Sequence, residues 1–108
     1  MATANPIILA NLRATLHALY GPRIERVVLF GSRARGDARE DSDYDVAVFL
    51  KDLGSGGDRW READRVALAG SRITTETGAV IHAMPYRAGS YAERTPLMRE
   101  VRQDGMDL

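Results

Sequence analysis

The 108-residue sequence contains no cysteine, so disulfide scaffolds, thiol nucleophiles and Cys-based zinc sites are excluded. Only two histidines are present, His17 and His82, which removes a multi-histidine metal cage as well. Lysine is nearly absent, with Lys51 against fourteen arginines. Net charge is also missing: fifteen basic and fifteen acidic residues cancel. The chain as a whole therefore lacks the basic footprint of a protein that grips DNA or RNA nonspecifically. No apolar run approaches the roughly 20 residues needed to span a bilayer. The apolar stretch 6–10 is too short for a signal peptide and has no basic segment before it. A cytoplasmic protein is expected. A chain of this length suits one domain, 1–108, with one modest core.

What is present is punctuated regularly. Pro6–Tyr20 carries Ile8, Leu9, Leu12, Leu16 and Leu19 at helical spacing, with Asn5 as N-cap, Pro6 in the first turn and Gly21-Pro22 as the stop. Ile24–Phe30 is rich in β-branched residues and reads as a strand. The polar segment 31–43 opens with a short helix, and Tyr44–Leu50 is a second strand. Its alternation sets Asp43, Asp45, Ala47 and Phe49 on one face and Tyr44, Val46, Val48 and Leu50 on the other. A flexible loop over 53–57 leads into an amphipathic helix over 58–75, predicted to turn Trp60, Ala63, Val66, Ala67 and Ile73 inward. A third strand is expected over 79–86, a turn capped by Ser90, and a last helix from Thr95-Pro96 through Arg102, stopped by Gly105. The order α-β-α-β-α-β-α predicts an α/β (α+β) fold, a small mixed sheet packed with helices.

Charge is unevenly placed. Arg33, Arg35 and Arg39 precede Glu40, Asp41, Asp43 and Asp45 in one short segment between two strands. The spacing Gly31…Gly36 matches a P-loop, but Asp37-Ala38 stands where Lys-Ser/Thr is required, and G-x-G-x-x-G is not met either. A glycine and serine at a strand end still offer N–H groups and a hydroxyl to an anion, with arginine forks nearby. Asp43 and Asp45 point the same way, roughly 6.6 Å apart along a strand. Carboxylates so placed repel unless a cation lies between them. Hard oxygen donors select Mg²⁺ or Mn²⁺, which keep positions open for water and substrate phosphates. A cation beside an anion-binding turn is an arrangement for nucleotide chemistry.

Gly31-Ser32-Arg33-Ala34-Arg35-Gly36 followed by Ser42-Asp43-Tyr44-Asp45 resembles the G-S-x-A-R-G…S-D-x-D signature of the minimal nucleotidyltransferases, in the DNA polymerase β-like superfamily. A weaker similarity continues through Glu76-Thr77-Gly78 and Pro96-Leu97. The resemblance implies that Gly31 and Ser32, with Arg33, Arg35 and Ser42 near them, hold the phosphates of an NTP, ATP foremost. It implies that Asp43 and Asp45 bind catalytic Mg²⁺. It also implies a separate small helical HEPN-type protein as partner, in some pairs as toxin and antitoxin, offering a hydroxyl as acceptor of AMP.

The family pattern adds a third carboxylate on a later strand, and 79–86 contains no Asp or Glu. His82 is the titratable group there and could act as a base; the other reading makes it structural. Glu76 lies just before that strand, and Glu93 further on. Three functions follow: an active Mg²⁺-dependent nucleotidyltransferase, a nucleotide-binding antitoxin or interaction subunit without turnover, or a structural interaction domain in which Asp43 and Asp45 merely end a strand.

Overall fold

The structure, a computed structural model, describes residues 4–54 and 57–108. Ser55 and Gly56 of the expected flexible loop lie outside the described residues. Helix α1, Pro6–Tyr20, starts where the sequence predicts: the Asn5 side chain accepts from Ile7 N–H at 2.8 Å and proline occupies the first turn. Gly21, at φ 51°, ends it, and the 3-10 turn Gly21–Arg23 delivers the chain into β1, Ile24–Phe30. A four-residue helix, α2 (Ser32–Arg35), follows directly, and β2 runs over Tyr44–Leu50. The long helix α3, Gly57–Thr77, crosses to β3, Ile81–Arg87. A 3-10 turn at Ser90–Ala92 precedes α4, Pro96–Asp104, capped by the Thr95 hydroxyl accepting from Met98 N–H.

The sheet has the order β3-β2-β1-β4 and is mixed: β1 pairs antiparallel with β2, while β2 and β3 run parallel. The central strand β2 is covered on both faces, which accounts for its near-continuous apolar run. Its two alternating sets enter two cores, as the sequence predicts. Tyr44, Val46, Val48 and Leu50 join Leu12, Leu16 and Tyr20 of α1 and Val66 and Ile73 of α3. Ala47 and Phe49 join Val28, Met98 and Val101 under α4. Phe49 is closed in by Tyr86 and Tyr91, each with ring centroids 5.7 Å away.

Three expectations are corrected. Trp60 is 74% exposed, and Ala67 is exposed as well; the inward stripe of α3 is Val66, Ala69, Gly70 and Ile73. A helix of 21 residues is about 31 Å long against about 23 Å for a seven-residue strand, so its first turns reach past the sheet. Strand β3 begins at Ile81, two residues late, because Gly78 at φ 81° still belongs to the turn. A further strand, β4 (Met106–Asp107), follows Gly105 and pairs antiparallel with Val28 and Leu29 on the open edge of β1. Among the described residues, no helix is long and apolar enough to cross a membrane.

Candidate active site

The end of β1 and the starts of β2 and β3 meet at one rim of the sheet. Phe30 pairs with Asp45, and Asp45 pairs on its other side with His82. Gly31, directly after β1, adopts φ 76° and ψ −159°, a region reserved in practice for glycine. Space demands glycine too: a Cβ there would lie 2.5 Å from Asp45 Oδ2. The Asp45 carboxylate is thus pressed against the backbone of the turn. Asp43 directly precedes β2 and is exposed.

Within the turn, N–H groups of Ala34 and Arg35 return to Gly31 O, and those of Gly36 and Asp37 to Ser32 O. Among the described residues, nothing accepts from the N–H or the hydroxyl of Ser32, which is half-buried beside Asp45's glycine. An anion arriving there meets donors that the protein has not already used.

The remaining predicted residues divide into builders and bystanders. Arg33 is 8% exposed; its guanidinium donates to Ser42 O at 3.1 and 3.2 Å and to Glu40 O at 2.8 Å, and lies 4.6 Å over the Tyr44 ring. It pins the acidic loop to the glycine turn. Ser42 closes that loop, its Oγ accepting from Arg39 N–H at 2.9 Å. Arg35 is exposed and donates to Asp104 at 2.8 Å and Asp37 at 3.2 Å. These carboxylates, Asp104 first, hold its guanidinium above the usual arginine value. Asp104 gives no local sequence signal, since it lies 69 residues away on α4.

Of the three candidates for a third group, placement separates one from two. Glu76 lies on α3 against α1, accepting from Asn11 Nδ2 at 3.5 Å and lining a cavity of about 460 Å³ between the helices, across the sheet from Asp45. Glu93 lies beside Tyr86 and Arg87, at the far end of β3. Only His82 reaches the pair, with Nδ1 3.5 Å from Asp45 Oδ1. Among the described residues, no three Asp, Glu or His side chains form a ready metal cage. Carboxylates beside a turn with unused N–H and hydroxyl donors fit Mg²⁺, which typically takes one or two and completes its shell with water and phosphate oxygens.

The chain belongs to the family described as Polymerase beta, Nucleotidyltransferase, whose model matches residues 14–81, and it is a nucleotidyltransferase. It is similar to the Methanocaldococcus jannaschii protein named "Putative protein adenylyltransferase MJ0141", at 26% identity over 94% of this chain and 95% of that one. In fold it is similar to a toxin-antitoxin structure with AMP-PNP, with a TM-score of 0.60 and 21% identity over 90% of this chain and 69% of the other. It is also similar to the MNT antitoxin fold in a complex with the tri-AMPylated HEPN toxin of Shewanella oneidensis. That likeness has a TM-score of 0.53 and 17% identity over 93% of this chain and 70% of the other.

Proposed function

We propose that this nucleotidyltransferase moves AMP from ATP to a hydroxyl on a small helical HEPN-type partner protein, with Mg²⁺ or Mn²⁺ held by Asp43 and Asp45. The observation that carries the reading is the close approach of the Asp45 carboxylate to Gly31, which brings a cation ligand and unused phosphate donors to one point. The M. jannaschii relative supports adenylyl transfer to protein, and the HEPN complex supports the partner.

In this reaction the acceptor hydroxyl gives up its proton to water, its oxygen bonds to the α-phosphorus, and the bond to pyrophosphate breaks. A divalent cation held by Asp43 and Asp45 would supply charge neutralisation at the transferring phosphate. Ser32 donates its N–H and hydroxyl to the polyphosphate oxygens, holding the leaving group in line. Gly31 keeps side-chain bulk out of that approach. Arg33 acts through the loop it anchors, setting Asp43 relative to Asp45. Arg35, already tied to Asp104, stands at the outer side of the turn, from which an arginine fork can meet the leaving pyrophosphate.

A second reading, nucleotide binding without turnover in an antitoxin-like subunit, is favoured by one feature: β3 carries no carboxylate. Incubation with α-labelled ATP, Mg²⁺ and a candidate HEPN protein separates the two. Label should appear on the partner, and Asp45→Asn should lower transfer at least about a hundredfold, about 2.7 kcal/mol of transition-state stabilisation. Tight Mg²⁺-ATP binding with no label on any partner would establish the second reading instead.

A further inference from the structure

His82 is placed as a ligand is placed, not as a core residue. Its neighbours along β3 alternate away from it: Ala83 enters the core under α1 and α3, and Ile81 packs against the same core. His82 itself projects on the Asp45 face, in register with Asp45 across the parallel β2–β3 pair. Its side chain is 63% exposed, and among the described residues Asp45 is its one polar contact. Burial does not hold it there, and an exposed ion pair of this kind contributes only about 0–1 kcal/mol.

The distance is informative. Two donor atoms bound side by side to one small divalent cation lie about 3 Å apart, as bond lengths near 2.1–2.2 Å require. Nδ1 of His82 and Oδ1 of Asp45 are 3.5 Å apart, so a small side-chain rotation brings both onto one ion. The other two candidates, Glu76 and Glu93, face other parts of the molecule.

We infer that His82 is a nitrogen ligand of the Asp45 cation, and that it tilts the site toward Mn²⁺ relative to Mg²⁺. The inference rests on the nucleotidyltransferase reading of this site and deepens it by naming the metal preference. The chemistry is that of donor softness. Mg²⁺ binds oxygen almost exclusively, whereas Mn²⁺, although it too favours oxygen, is a first-row transition ion and accepts imidazole nitrogen more readily. Replacing a carboxylate by an imidazole also removes one negative charge, which costs the purely electrostatic Mg²⁺ interaction more than the Mn²⁺ one. Water and polyphosphate oxygens would fill further positions.

The test uses the full chain with Mn²⁺ and inorganic triphosphate, a ligand that contains no nitrogen. Pulsed electron paramagnetic resonance should show ¹⁴N coupling from a directly bound imidazole, and His82→Ala should abolish it. Competition titrations should show the Mn²⁺/Mg²⁺ affinity ratio falling about tenfold or more in His82→Asp, which restores an oxygen donor. Position 82 is exposed, and both variants should melt within a few degrees of the parent. Mn²⁺ bound without nitrogen coupling, or with coupling that persists in His82→Ala, overturns the inference and leaves the nucleotidyltransferase reading standing. No Mn²⁺ binding at all, with or without triphosphate, overturns the inference and the proposed cation site together.

Discussion

Gly31 concentrates the demands of the site on one residue. Its φ of 76° excludes ordinary side chains, and its Cα is the surface on which the Asp45 carboxylate rests. Gly31→Ala should therefore cost about 1–3 kcal/mol of stability for the backbone alone and, separately, displace Asp45. Gly89 is the natural control, because it too has positive φ, at 91°, but nothing lies within 4 Å of a Cβ built there. Both alanine variants should melt lower than the parent. Only Gly31→Ala should also lose Mg²⁺-ATP affinity in titration calorimetry. Equal affinity losses in the two would show that the carboxylate contact is incidental. Arg33 teaches a related lesson: among its contacts are the backbone carbonyls of Glu40 and Ser42, in the loop that carries Asp43.

At the level of elements, the joint between α1 and α3 carries buried polar groups outside the active site. Tyr20 at the end of α1 is 4% exposed, and its hydroxyl, like Glu62 Oε2, is buried with no hydrogen-bond partner among the described residues. Arg23 and Arg65 pair with the other Glu62 oxygen at 3.2 and 3.6 Å. Burial first, and then the Glu62 carboxylate, push the Tyr20 hydroxyl well above the ordinary tyrosine value of 10.0. Below that value both folded and unfolded chains keep the proton. Above it the unfolded chain releases the proton first, so stability falls as pH rises. Tyr20→Phe should leave urea stability at neutral pH within about 1 kcal/mol, because the lost hydroxyl makes no bond. It should also make the decline between about pH 9.5 and 11 shallower, though not flat, since burial raises Tyr86 as well. An alkaline limb unchanged by the substitution would assign the loss to other groups. The strands flanking the site were legible because β-branched runs end at Gly31 on one side and begin after Asp43 on the other. Trp60 was not legible, since periodicity reports the phase of a helix and not where it overhangs its sheet. Nor was β4, which exists because β1 has an edge to pair, not because Met106 and Asp107 favour a strand.

For the molecule as a whole, the sheet brings residues from three strand ends to one rim and leaves the other acids elsewhere. The sequence showed the acid pair and the turn, since both are local in the chain. It left His82 and Glu76 as candidates, with Glu93 more remote, because only the β2–β3 register decides which one lies beside Asp45. This separation allows a global measurement to report on the site. A ligand that binds only the folded chain stabilises it by about 2.7 kcal/mol at a hundred times its Kd. In a domain of this size each kcal/mol moves Tm by about 4–8 °C, so saturating Mg²⁺-ATP should raise Tm by about 10–20 °C. Asp45→Asn should lose most of that shift. Glu76→Gln should keep it in full, because Glu76 faces the groove between α1 and α3. A shift that vanished in Glu76→Gln and survived in Asp45→Asn would put the nucleotide between the helices and take it away from the strand ends.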